Sequence, residues 1–244
     1  MSYIENPKTK GSGILCAIPQ SGTCPNKCEG CFFQSGKSYL EPLAVNLPNM
    51  PSTHAARNHV VRVNDGNDSN VERAQVIADT EKYAMKFYNT AMACGLDKFP
   101  GPIVLTINPA PSTDKAFKKI SDPPANLMFV RFRANTWNNY LCDDAVRFYT
   151  HRQVPVVLTF MAYDSADSIP ERCREDYIER VRTINSYWAI TTDAWQCTMS
   201  RYNGNKLVHS CGTIEGERGD SHCRYCGNCL REYFATMERI RACS

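Results

Sequence analysis

Apolar residues gather in short runs along this chain, separated by stretches in which they recur at helical spacing. Ile14-Leu15-Cys16-Ala17-Ile18 is one such run, closed by Pro19 and by Ser21-Gly22, and predicts a buried strand. His59 to Val63 predicts a second strand, ending in the turn-forming Asn64-Asp65-Gly66-Asn67-Asp68. From Asn70 to Cys94 a helix is expected: Asn70 suits its cap, Ile77, Ala84, Tyr88 and Ala91 recur at helical spacing, and Gly95 suits its end. Further strands are expected at Ile103 to Ile107, Leu127 to Ala134, Val156 to Ala162 and Tyr187 to Thr192. Helices are expected at Asp114 to Ile120, Trp137 to His151 and Glu171 to Asn185, and a loop at 36–58, which Pro42, Pro48 and Pro51 punctuate.

Alternating strands and helices predict a parallel sheet joined by right-handed crossovers. Six such units fit an α/β fold of the partial (βα)6 TIM-like barrel type, with a doubly wound open sheet as the alternative. Residues 1–195 form the barrel in this reading, and 196–244 a small cysteine-rich C-terminal extension. Along Leu127 to Ala134 the alternation puts Met128, Val130, Phe132 and Ala134 on one face and Phe129, Arg131, Arg133 and Asn135 on the other. In a barrel the apolar face meets the helices, so both arginines point into the lumen, where buried charge requires an anionic partner. An edge strand with both arginines in water is the alternative.

With 244 residues the chain is long enough for one full core, and 43% apolar with 22% charged residues argues against disorder. The net charge of +3 is too small to imply a nucleic-acid or membrane partner. The first ten residues lack the pattern of a secretion signal, and no apolar run approaches the roughly 18 residues that cross a bilayer, so a cytoplasmic location and no membrane contact are expected. No G-x-x-x-x-G-K-[ST], G-x-S-x-G, H-E-x-x-H or G-x-G-x-x-G occurs, which removes the signatures of P-loop, serine-hydrolase, zinc-protease and dinucleotide chemistry. The thirteen cysteines are odd in number and partly clustered at ligand-like spacings, so reduced, metal-binding thiols are expected rather than disulfides.

Cys24, Cys28 and Cys31 are spaced C-x3-C-x2-C on the loop after the first strand. Three thiolates can hold three corners of a [4Fe-4S] cube and leave the fourth iron open to a small molecule; zinc and unligated thiols are the alternatives. This motif in this position resembles the radical S-adenosylmethionine superfamily. The resemblance implies a cluster on Cys24, Cys28 and Cys31, with S-adenosylmethionine chelated at the open iron through its amino and carboxylate groups. It further implies reductive cleavage to a 5'-deoxyadenosyl radical, which abstracts hydrogen from a substrate, and an electron donor such as a flavodoxin or ferredoxin. Gly30 departs from the aromatic residue that many members place before the third cysteine, and Phe32 and Phe33 follow it, either shielding the cluster or packing in the core. The family's Gly-Gly-Glu-like segment after the second strand corresponds in position, though not in sequence, to Asn64-Asp65-Gly66-Asn67-Asp68. Asn64 and Asp65 offer an ammonium a carbonyl and a carboxylate, although an ordinary turn uses the same residues. Arg131 and Arg133 are candidates for the carboxylate of S-adenosylmethionine or an acidic group on the substrate.

Near the other end, Cys211, Cys223, Cys226 and Cys229 are spaced C-x11-C-x2-C-x2-C, a complete tetrathiolate set for a second [4Fe-4S] cluster or for zinc. In the resembled family such tails hold auxiliary clusters. His209 and His222 flank the set as possible substitutes, while Asp193, Tyr163, Thr159 and Asn108 fall at strand ends where α/β enzymes place substrate. The rival reading is a non-catalytic, zinc-stabilised binding module for nucleic acid, with Arg218, Arg224 and Arg231 on phosphate.

Overall fold

The computed structural model describes residues 2–26, 28, 31–108, 119–181, 186–211, 213–215 and 220–243. Among them the chain runs β1 (Ile14–Ala17), α1 (Leu43–Asn46), α2 (Thr53–Ala56), β2 (Val60–Val63), α3 (Arg73–Thr80), β3 (Lys86–Thr90), β4 (Ile103–Ile107) and β5 (Leu127–Ala134). It continues with α4 (Asn139–Thr150), β6 (Val156–Phe160), β7 (Tyr177–Val181), β8 (Ser186–Ile190) and α5 (Thr192–Ser200). The last elements are β9 (Val208–Ser210), β10 (Thr213–Glu215), β11 (Asp220–His222), α6 (Cys223–Cys226) and α7 (Asn228–Cys243). No helix of the described residues is long and apolar enough to cross a membrane.

Seven strands form one sheet in the order β1-β2-β3-β4-β5-β6-β9, every neighbouring pair parallel. Because spatial order follows chain order without reversal, the sheet lacks the switch point of a doubly wound fold and curls into a half-barrel. On its convex side Val130, Phe132 and Ala134 pack with Cys142, Ala145, Val146 and Tyr149 of α4. On the concave side Val60, Phe87, Val104, Phe129 and Val157 meet Tyr233 of α7, flanked by Leu230 and Met237. Helix α7 thus fills the half-barrel at the strands' N-terminal ends, where Arg239 donates to the carbonyls of Ala125 at 3.0 Å and Leu127 at 2.7 Å.

Several expectations are corrected. The helix read from Asn70 to Cys94 is a short helix, α3, and a strand, β3. Phe87 and Tyr88 are both fully buried, so this central strand shows no polar alternation, and no glycine or proline marks the break. The helix read from Glu171 to Asn185 is a 3-10 turn, Glu171–Asp176, followed by β7. Strand β8 pairs antiparallel with β7 outside the main sheet, and the seventh place goes to β9. Met128 is the extra residue of a bulge opposite Ile103 and Val104, so it joins Phe129 in the concave cluster rather than Val130. Asn135 does not face the lumen: its Oδ1 accepts from the backbone of Trp137 and Asn138 at the start of α4. The helix expected at Asp114 to Ile120 lies mostly outside the described residues. The boundary at 195 falls within α5, and residues beyond it supply both β9 and the lumen-filling helix.

Tyr233 is 3% exposed at the centre of the concave cluster. Tyr233→Ala is expected to lower unfolding free energy by about 3 kcal/mol. Urea denaturation followed by far-UV circular dichroism checks this.

Candidate metal and cofactor site

The cysteine loop leaves β1 and is fastened at several points to the turn after β2. The Cys24 amide donates to Asn67 Oδ1 at 2.8 Å, and Asn67 Nδ2 donates to the Gly22 carbonyl at 2.7 Å. Asn67 has φ 55°, a left-handed conformation that asparagine tolerates better than most residues. Gln34 Nε2 closes the loop onto the Cys24 carbonyl at 2.7 Å, and the Cys31 amide turns back to the Cys28 carbonyl at 3.1 Å. Phe33 is buried against Gly66, where an added Cβ would lie 2.0 Å from the ring. Asp68 braces the turn from below: its carboxylate accepts from the amides of Asn70 (2.8 Å) and Ala91 (2.7 Å), Thr90 Oγ1 (2.6 Å) and Asn26 Nδ2 (3.3 Å).

A cavity of about 380 Å³ opens at the C-terminal ends of the strands, and its lining brings together Cys24, Cys28, Cys31, Asn64, Asp65, Arg131 and Arg133. Thr159 and Asn108 also line it, whereas Tyr163 borders a second cavity of about 410 Å³ that shares Cys28 and Cys31. Asp193 lines neither cavity; it lies in the first turn of α5.

Asn64 is buried with φ 59°, its Nδ2 donating to Ser69 Oγ at 3.2 Å. Asp65 Oδ2 accepts from Asn6 Nδ2 at 2.7 Å and Tyr39 OH at 3.2 Å, and Arg62 lies 3.4 Å away. The remaining acceptors, Asn64 Oδ1 and Asp65 Oδ1, are buried without a hydrogen-bond partner among the described residues. Both residues line the same cavity as the loop thiols.

The two arginines face different thiols. Burial pulls the Arg133 guanidinium down, while Cys31, Tyr163 and Cys28 hold it up. Arg131 donates to Asn89 Oδ1 at 3.0 Å, and Asn89 in turn donates to the Val63 carbonyl at 2.9 Å. Burial pushes Cys229 up to about 11, with Arg131 the leading influence against it. Burial also raises Cys24 and Cys28; Asp68 and the neighbouring thiols add to the rise, as thiols sharing one site do.

The tail cysteines lie just after β9, in α6 and in the first turn of α7. The Cys211 amide extends the β9 pairing to the Leu158 carbonyl at 2.7 Å, and Asn228 Nδ2 holds the adjacent Ser210 carbonyl at 2.6 Å. Cys211 and Cys229 both pack on the concave cluster. Cys223 is raised by burial, and Cys211 and Cys226 raise it further. His209 Nε2 lies 3.9 Å from Glu232 Oε1, with its pKa lowered by burial and by Arg231. Arg231 pairs with Glu232 at 2.9 Å. Arg218 lies outside the described residues, as do the side chains of Arg224 and His222.

None of the twelve cysteines whose side chains are described forms a disulfide. Among the described residues no three or more cysteine, histidine, aspartate or glutamate side chains are placed to hold a single metal ion. Gly66, Asn67, Gln34 and Asn89 were not among the candidates read from sequence. Their roles depend on a ring contact and on bonds to backbone or another side chain; the clustering of Asn, Asp and Gly after β2 signals Gly66 and Asn67, and no local pattern signals Gln34 or Asn89. Comparison with protein-family models, curated proteins and solved structures found no match.

Gly66→Ala is expected to cost about 1–3 kcal/mol, because the Phe33 ring has to move. It is also expected to speed thiol labelling of Cys24, Cys28 and Cys31, and Phe33→Ala in the same chain is expected to remove most of the added penalty. A double-mutant cycle by denaturation and labelling rate measures both.

Proposed function

We propose that this chain is a radical S-adenosylmethionine enzyme whose cluster is held by Cys24, Cys28 and Cys31. The observation that carries the reading is that one cavity on the strands' C-terminal ends is lined by these thiols, by Arg133 and by Asn64 and Asp65, each with a buried acceptor oxygen that has no hydrogen-bond partner among the described residues. α/β folds place their chemistry at that end of the strands. The partial barrel of the resembled family also accords with an all-parallel sheet in sequential order.

A reduced four-iron cluster bound here supplies the electron that cleaves the sulfonium of S-adenosylmethionine to the 5'-deoxyadenosyl radical. The residues of the chain bind and orient. Asn64 Oδ1 and Asp65 Oδ1 receive the N–H groups of the amino nitrogen, giving partners to acceptors that have none among the described residues. Arg133, beside Cys28 and Cys31, receives the carboxylate. Phe33 on Gly66 keeps water from the loop's inner side. Thr106, Asn108 and Thr159 line the cavity where a substrate C–H faces the nucleoside. In the rival reading, a zinc-stabilised nucleic-acid module, the tail arginines contact phosphate; Arg231 is already engaged by Glu232.

After anaerobic reconstitution with iron and sulfide, incubation with S-adenosylmethionine and dithionite is expected to yield 5'-deoxyadenosine, and Cys28→Ala to abolish it. A colourless zinc protein that forms none supports the rival. Arg133→Gln is expected to weaken S-adenosylmethionine binding about tenfold at unchanged iron content, as loss of one charge-assisted hydrogen bond implies. Equilibrium binding with iron analysis of the same samples checks this.

A further inference from the structure

The cavity at the strands' C-terminal ends is lined by the cationic Lys8, Lys37, Arg131 and Arg133 and by the carboxylates of Asp65 and Asp68. Both carboxylates are engaged elsewhere. Asp65 lies 3.4 Å from Arg62, and Asp68 accepts from two backbone amides, Thr90 and Asn26. Lys37 pairs with Asp164 at 2.8 Å. Arg131 has no such partner. Among the described residues its side chain makes one hydrogen bond, from Nη1 to Asn89 Oδ1 at 3.0 Å, and one ring contact, 5.6 Å to the centre of Phe129. A neutral amide orients a guanidinium without cancelling its charge, and a half-buried charge short of counter-charge is unfavourable until an anion meets it.

The bond to Asn89 also fixes where the guanidinium lies. Arg131 is on β5 and Asn89 on β3, so the side chain reaches across the face of β4, the strand between them. The β4 residue in register with Arg131 is Thr106, which lines the cavity. Asn89 is itself buried and anchored, donating to the Val63 carbonyl at 2.9 Å. The guanidinium is thereby held in front of a threonine hydroxyl, with the rest of its N–H fork lacking a protein acceptor among the described residues. A fork of N–H groups beside a hydroxyl is a donor set for an oxyanion.

We propose that the substrate carries a carboxylate or phosphate group that docks on Arg131 and Thr106 and so fixes its orientation in the cavity. This rests on the reading above in giving Arg133 to the carboxylate of S-adenosylmethionine, which leaves Arg131 for the substrate. The two arginines stand two residues apart on β5, about 7 Å along an extended strand, so two anions find separate places.

The test is anion binding by the full chain, without iron or S-adenosylmethionine, at constant ionic strength. Inorganic phosphate and acetate are titrated in separate arms, and broadening of the phosphate phosphorus signal and the acetate methyl signal in nuclear magnetic resonance gives each dissociation constant. Binding is expected in at least one arm, and the tighter probe identifies the substrate's group. Arg131→Gln is expected to weaken it about tenfold or more, as loss of a charge-assisted hydrogen bond implies, and Thr106→Val about threefold. Arg133→Gln is expected to weaken it less than Arg131→Gln does. Binding in neither arm overturns the proposal. So does binding by Arg131→Gln within about twofold of the unaltered chain, or a loss in Arg133→Gln as large as in Arg131→Gln. If circular dichroism shows that Arg131→Gln does not fold, Thr106→Val decides, and unchanged binding then overturns the proposal. Failure here leaves the deoxyadenosine assay standing, because that assay needs no substrate anion; failure of that assay leaves anion binding standing, because no cluster takes part in it.

Discussion

The turn after β2 bears directly on the cysteine loop, and the rest of the cavity is organised around that contact. Gly66 presents only its Cα, so the Phe33 ring lies where any side chain would stand. Asn67 adopts a left-handed backbone and ties the loop on both sides, through the Cys24 amide and the Gly22 carbonyl. Beneath them one carboxylate, Asp68, gathers the turn, the end of β3 and the loop through charge-assisted bonds. Three thiols on a loop would otherwise be mobile; here their backbone is referred to strands of a rigid sheet.

The concave face is graded from apolar to polar along the strands. Phe87, Val104, Phe129 and Val157 are covered by α7, and Asn89, Thr106 and Thr159 line the cavity one step further along the same strands. Arg131 and Arg133 are two residues apart, about 7 Å along an extended strand. Arg133 acts on Cys28 and Cys31 and Arg131 on Cys229, and both arginines line the cavity that the loop thiols also line. The bulge at Met128 sets this phase, because it determines which residues of β5 turn inward.

Legibility in the sequence followed the physical visibility of each signal. Strands with strong apolar runs, such as Ile14–Ala17 and Ile103–Ile107, were plain, as was the parallel α/β character. Strand β3 was hidden inside an apparent helix because burial on both faces erases the alternation that marks a half-exposed strand. Strand β9 was hidden because Val208-His209-Ser210 is short and largely polar, and pairs only through its place beside β6. That Cys24, Cys28 and Cys31 share one cavity with Asn64, Asp65, Arg131 and Arg133 was readable from local spacing and from the places of these residues on elements. What holds them was not: Asn67, Gln34 and Asn89 act through backbone or long-range bonds that a linear pattern does not carry.

The central claim is that three loop thiols hold an iron–sulfur cube with one iron left for the amino and carboxylate groups of a small molecule. Electron paramagnetic resonance of the anaerobically reconstituted, dithionite-reduced chain tests it most directly, using the variant with all four tail cysteines changed to serine so that one signal is read. A reduced-cluster spectrum that shifts on addition of S-adenosylmethionine is the expected result. A spectrum unchanged by S-adenosylmethionine, or no iron-dependent signal at all, contradicts it.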